Sequence, residues 1–91
     1  MYSLEYTNRF KKDVKRCQKR GLDINLLMMA IKILVEKGSL PESYKPHKLV
    51  GKNFSDKWEC HIQPDWLLVW EQHDDQLLMI MTNTGSHSDL F

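Results

Sequence analysis

The chain has 91 residues, 42% hydrophobic and 27% charged, which fits a single domain spanning residues 1–91 and excludes low-complexity disorder. No apolar run approaches the ~18 residues needed to cross a bilayer, no signal core opens the chain, and Cys17 and Cys60 are too few for a disulfide scaffold, so free thiols in a cytoplasmic protein are expected. The net charge of +1 hides a split: all 13 Lys and Arg lie in residues 1–57, while residues 58–91 hold six acids and neither Lys nor Arg, a one-sided basic surface suited to a polyanion or simply to solvated helix faces.

Residues 3–7 alternate as a first strand. Thr7 or Asn8 can cap a helix running to about Arg20, with Gly21 at its C-terminal end. Phe10, Val14 and Cys17 recur at i, i+4 and i+7 as a narrow apolar stripe. Arg9, Lys11, Lys12, Lys15, Arg16, Lys19 and Arg20 cover the remaining surface. Asp23 can cap a second helix ending at Lys37 and Gly38, whose buried face holds Leu27, Ala30, Ile31, Leu34 and Val35. Met28 and Met29 are expected in the core or in a helix–helix seam, and the two helices are expected to form a hairpin.

Residues 38–57 read as a long irregular loop with Pro41, Pro46 and Gly51, carrying Lys45, His47, Lys48, Lys52 and Lys57. Loops of this length in a compact domain are often functional. Trp58, Cys60 and Ile62 then alternate with Glu59 and His61 as a half-buried strand. Gln63 and Pro64 turn the chain, and residues 66–71 (WLLVWE) are apolar on both faces, as a central strand is. A turn at residues 73–75 leads to a last strand over residues 76–82 (QLLMIMT). The expected class is α+β: β-α-α-β-β-β, an antiparallel-rich sheet with a helical hairpin on one face.

Three of the four histidines flank this sheet: His47, His61 and His87, with Asp65 four residues beyond His61. Imidazole both takes and gives protons near neutrality, so two histidines and a carboxylate can form a general acid–base set. The plain alternative is that a strand histidine on a polar face is merely hydrogen-bonded or solvated. The same residues are acceptable zinc ligands, yet no HxH, HExxH or CxxC spacing occurs, so no metal site is expected. Trp66 reads as core. Phe91 can stack on a base or pack on a sheet edge.

The run HKL at residues 47–49 with Gly51, the block ECHIQPDWLLVW at 59–70 and the terminal TGSHSDLF at 84–91 resemble the YafQ branch of the RelE/ParE toxin superfamily. The N-terminal half agrees in layout, with a short strand, a basic helix containing Phe10, Lys12 and Asp13, and a second helix. The resemblance spans essentially the whole chain. It implies a RelE-like fold and a bacterial, cytoplasmic mRNA interferase of a type II toxin–antitoxin system that cuts translated message on the ribosome. It implies as partners a cognate antitoxin, in a heterotetramer of two toxins and two antitoxins, the ribosomal RNA and the message, with neither membrane nor cofactor. It implies that His47, His61, Asp65 and His87 are catalytic, that Trp66 adjoins the catalytic aspartate, and that Phe91 lies near the scissile base. One position departs from the family: an arginine usually stands where this chain has Asn83. A forked cation there would stabilise phosphorane charge, so Asn83 implies a weaker nuclease, a charge supplied by Lys48 or Lys52, or a protein that binds without cutting.

On this reading the RNA 2′-hydroxyl is the nucleophile, so DNA is not a substrate. His87 is assigned as general acid, His61 or Asp65 as base, and His47 as a group that positions the phosphate or shares in proton transfer. Lys11, Lys12, Lys15, Arg16 and Lys19 are assigned to ribosomal RNA. A ParE-like gyrase poison shares the fold, but the histidine-rich terminal block argues for proton transfer instead.

Overall fold

The computed structural model describes residues 1–51 and 56–91. The chain order is β1 (Ser3–Tyr6), α1 (Asn8–Lys19), α2 (Ile24–Lys37), β2 (His47–Lys48), β3 (Lys57–Gln63), β4 (Trp66–His73), β5 (Leu78–Gly85) and α3 (His87–Leu90). Single 3₁₀ turns occupy Glu42–Tyr44 and Asp74–Gln76. The sheet order is β1-β5-β4-β3-β2, with β1 parallel to β5 and every other pair antiparallel. The class is therefore α+β, as expected, with a mixed sheet.

Local chemistry explains the helix ends. Thr7 caps α1 by accepting the Phe10 N–H at 3.0 Å, and Asp23 caps α2 by accepting the Asn25 N–H at 3.0 Å. Gly38 closes α2 in the left-handed conformation (φ 73°), and a Cβ there would meet the Tyr2 ring at 2.8 Å. On α2 the buried positions are Leu27, Ala30, Ile31 and Leu34. Met28 and Met29 fall about 100° and 200° around the helix from Leu27 and stand 46% and 57% exposed. The expectation that they enter the core or a helix seam is thus corrected.

The helices cover one face of the sheet. Phe10, Cys17, Leu27, Ile31 and Leu34 pack there against Cys60, Trp66, Leu68, Trp70, Met79 and Met81. β4 is the central strand and is buried from Trp66 to Trp70. Alternation sends Trp66, Leu68 and Trp70 to the helices, leaving Leu67 and Val69 on the opposite face.

The strands also differ from the sequence expectation, at β2 and at the last strand. Part of the supposed loop is β2, which pairs His47 with Glu59 and Lys48 with Trp58. Those hydrogen bonds come from residues about ten positions away, so no local pattern reveals them. The last strand is Leu78–Gly85 rather than residues 76–82, because Asp74–Gln76 form a 3₁₀ turn and Leu77 adopts φ 49°. This strand also carries a bulge: Val69 faces Asn83 whereas Trp70 faces Met81, leaving Thr82 as the extra residue. The bulge turns Asn83 to the open face and Thr84 into the core, where Thr84 Oγ1 accepts from Trp66 Nε1 at 2.9 Å.

Candidate functional site

The face of the sheet opposite the helices carries the chemistry. Antiparallel partners point the same way, so Glu59 and His61 share a face with Leu67 and Val69, and His47 with Glu59. Lys57, Glu71 and Asn83 follow by the same rule. α3 leaves the end of β5 beside this face, because Leu67 faces Gly85 and His87 begins the helix two residues later.

His61, Asp65 and His87 come together. The His61 and His87 ring centroids are 5.9 Å apart with a 53° interplanar tilt. His87 Nδ1 lies 2.9 Å from Asp65 Oδ1, which also accepts the His87 backbone N–H at 3.2 Å. These two bonds, the ring's first and the backbone's second, hold the Asp65 carboxyl below its ordinary pKa. An ionised carboxylate only accepts, so the ring must carry its proton on Nδ1 and turn Nε2 outward. His61 follows the same logic, since its Nδ1 lies 3.3 Å from the Pro64 carbonyl oxygen, which only accepts. Two imidazoles thus present Nε2 atoms over one exposed surface.

His47 sits one strand over. Its Nε2 is 3.3 Å from Glu59 Oε1 and its Nδ1 is 3.2 Å from the Lys45 carbonyl oxygen. A diagonal step across paired strands places it about 7–8 Å from His61. Glu59, 5% exposed, is a carboxylate beside His47 that opens the ECHIQPDWLLVW block and alternates in phase with His61, but the sequence alone assigns it no role.

The placement of His87 rests on a network that begins in α1. Asp13, 1% exposed, accepts from Arg9 Nε and lies against Arg16 Nη2, both at 3.1 Å from its Oδ1. Its Oδ2 accepts the Thr84 N–H at 3.2 Å. Arg16 Nη2 also donates to the Thr84 carbonyl oxygen at 3.3 Å and stands 3.7 Å from Asp89 Oδ2. Arg20 grips both Asp89 oxygens, at 2.6 and 3.1 Å. Asp89 in turn closes a capping box with Ser86 at the start of α3. The Arg20 bond and the Ser86 N–H hold the Asp89 carboxyl far below its ordinary range.

Several expected roles change accordingly. Arg16 braces α1, β5 and α3, because Asp13 three residues earlier draws it inward. Trp66, 1% exposed, lies in the core, where its indole backs the strand beside Asp65. Lys48 faces with Trp58, whose ring stacks on Trp70 on the helix side, and its charge acts on Asp74. Lys48 therefore points away from His61. Lys52 lies outside the described residues. Lys11, Lys12, Lys15 and Lys19 are all exposed along α1, and Phe91 is 60% exposed beside Asn83.

The cysteines take no part. Both are buried free thiols, and burial pushes Cys60 up to about 12. Among the described residues no group of three or more His, Cys, Asp or Glu side chains is placed to hold a metal ion. No helix among them is long and apolar enough to cross a membrane.

Comparison with known proteins gives concordant matches. The family model described as the bacterial toxin of type II toxin–antitoxin systems, YafQ, matches residues 2–91. The mRNA interferase toxin YafQ of Escherichia coli K12 is 37% identical over 91 residues, covering 97% of this chain and 94% of the relative. The E. coli DinJ–YafQ complex contains a chain that superposes with a TM-score of 0.90 at 35% identity, covering 100% of this chain and 99% of that one. A metal-bound toxin from Helicobacter pylori superposes with a TM-score of 0.90 at 36% identity over 100% of both chains.

Proposed function

This chain belongs to the YafQ family of bacterial type II toxin–antitoxin toxins, and from that premise we propose that it is an mRNA interferase that cuts message on the ribosome. The observation that carries the reading is the meeting of His61, Asp65 and His87 from three separate stretches of chain.

The chemistry follows from the two outward Nε2 atoms. His61, tethered through Nδ1 to Pro64, takes the proton of the 2′-hydroxyl as general base. The 2′-oxygen attacks the adjoining phosphorus and the bond to the 5′-oxygen breaks. His87, in its imidazolium form, gives the leaving oxygen the proton on Nε2 and keeps the Nδ1–H that Asp65 accepts. Asp65 is already committed to the His87 ring and backbone, so it orients and stabilises the imidazolium rather than acting as the base. The products are a 2′,3′-cyclic phosphate and a 5′-hydroxyl. His47, held by Glu59, lies where it can steady the phosphate. The exposed lysines of α1 supply a charged surface for ribosomal RNA. An antitoxin completes the system, as DinJ does for E. coli YafQ, in a heterotetramer of two toxins and two antitoxins within the bacterial cytoplasm.

Asn83 supports a second reading, a toxin fold that binds its partners without cutting. Primer extension on a message translated in a cell-free system separates the two. Cuts made by the wild-type chain support the nuclease. Cuts made only by Asn83→Arg identify a binder.

A further inference from the structure

A hollow of about 260 Å³ lies on the helix side of the sheet, on the face opposite the histidines. Leu40, Glu42, Pro46, Trp58, Trp70 and Gln72 line it. The segment that leaves α2 forms one wall, and β3 and β4 form the other. Trp58 and Trp70 pair across β3 and β4, and their rings stand 6.3 Å apart and 16° from parallel. Trp70 is buried, and its Nε1–H is spent on Gln72 Oε1 at 3.0 Å. Trp58 is half-buried and is the ring that a ligand reaches. The face of an indole carries the negative part of its quadrupole.

The surroundings add negative charge. Glu42 is exposed and makes no ion pair among the described residues. The C-terminal end of the 14-residue helix α2 meets the hollow through Gly38, and that end of a helix dipole favours a cation. Asp74 lies just beyond, bonded to the Tyr2 hydroxyl at 2.6 Å and to Gln72 Nε2 at 2.9 Å. The same Gln72 nitrogen donates to the Gly38 carbonyl oxygen at 2.9 Å. Three cations stand nearby. Lys37 ends α2, Lys48 shares a face with Trp58, and Lys45 lines a different hollow beside His61. None of the three lines this one.

We propose that the hollow binds a guanidinium group, stacked on Trp58 and paired with Glu42. A planar, weakly hydrated cation stacks on an aromatic face, whereas an ammonium must give up a tighter water shell. The hollow is smaller than the ~300–1,000 Å³ of drug-sized sites, so it has room for one group of side-chain size. Such a group comes either from a free guanidino compound or from an arginine of a bound polypeptide. The recognition chemistry is the same for both. Nothing in it rests on the endoribonuclease reading, because the hollow and the histidine pair occupy opposite faces of the sheet.

The test follows the three indole Nε1–H signals by NMR while methylguanidinium chloride is added. Methylurea serves as the uncharged control of the same shape, and sodium chloride as the control for ionic strength. Methylguanidinium shifts Trp58 and Trp70 and leaves Trp66, whose Nε1–H is held by Thr84, in place. Glu42→Gln, an exposed substitution that breaks no ion pair, weakens binding about two- to fivefold. Trp58→Leu weakens it about threefold or more. Lys48→Gln removes a neighbouring like charge and tightens it about twofold. Nα-acetylarginine amide then separates the sources. Binding as tight as that of methylguanidinium identifies the side chain of a polypeptide, and its exclusion identifies a free compound; either result supports the site. No shift at Trp58, equal shifts from methylurea, or undiminished binding by Glu42→Gln overturns the proposal. Weaker binding by Lys48→Gln overturns it as well, since it would mark the hollow as an anion site.

Discussion

His87 donates its ring Nδ1–H to Asp65 Oδ1 across 2.9 Å, and the same oxygen accepts the His87 backbone N–H at 3.2 Å. One carboxylate oxygen thus fixes both where the imidazole is and which nitrogen carries its proton. The lowered Asp65 pKa is the electrostatic trace of this clamp. Because the folded value is depressed, the interaction is complete above the ordinary carboxylate pKa and is lost as pH falls through the lowered one. Carboxyl ¹³C titration should therefore find Asp65 ionising below its ordinary value of 3.8, and His87→Ala should return it upward. A midpoint unmoved by His87→Ala would show that the clamp does not form in solution.

The same relationship ranks the catalytic variants. His87→Ala and His61→Ala each remove a proton-transfer group and should slow message cleavage by about 10²–10⁴-fold. Asp65→Asn leaves an acceptor for the ring but no charge beside the imidazolium, so its loss should be smaller, about 10–10²-fold. Single-turnover cleavage rates in cell-free translation give the order directly. Equal rates for Asp65→Asn and wild type would remove Asp65 from the mechanism.

Asp13 is the hidden support of this arrangement. Its side chain joins Arg9, Arg16 and the Thr84 N–H at the root of the segment that launches His87. Asp13→Ala would leave the Thr84 N–H without its acceptor and strip Arg9 and Arg16 of their shared carboxylate, and Arg16 Nε is already buried with no partner among the described residues. A loss of about 3 kcal/mol is expected in urea denaturation. Asp13→Asn, which keeps an acceptor, should lose less. Equal stability in all three proteins would mean that the network contributes nothing.

These residues show what a single sequence discloses and what it conceals. The caps at Thr7, Asp23 and Gly38 are legible because capping is local chemistry, and the central position of β4 is legible because both its faces are apolar. The pairing of His61 with His87 is reached through motif resemblance, since spacing alone joins no residues 26 positions apart. β2 is hidden because its hydrogen bonds are contributed by β3. Arg16 passes for surface charge, although a signal exists: Asp13 falls on the apolar side of α1 with arginines at i−4 and i+3.

Gly85 tests the same hinge from the backbone. It adopts φ 153°, and a Cβ there would stand 2.7 Å from Asp89 Oδ2 and 3.0 Å from Arg16 Nη2. Asp89 is held by Arg20 and cannot turn aside without breaking that pair. Gly85→Ala should therefore destabilise the fold by about 1–3 kcal/mol and shift the His87 ring resonances. Thermal denaturation and NMR unchanged from wild type would refute the packing argument.

The exposed lysines of α1 are separable from catalysis. Charge reversal at Lys11, Lys12, Lys15 and Lys19 should weaken ribosome binding and flatten its salt dependence, by a slope of roughly 0.7–0.9 for each phosphate no longer neutralised. Circular dichroism should stay unchanged, since these side chains are exposed. Ribosome affinity equal to wild type across a salt series would detach this helix face from function.

The most direct test is the chemistry of the cut ends. Message fragments released during cell-free translation are to be analysed by mass spectrometry and by their acceptance of 5′-phosphate from a kinase. Wild-type protein should leave 2′,3′-cyclic phosphate and 5′-hydroxyl termini, and His87→Ala should leave the message whole. Fragments ending in 5′-phosphate, or a His87→Ala protein that cuts as fast as wild type, would contradict proton transfer by the histidine pair.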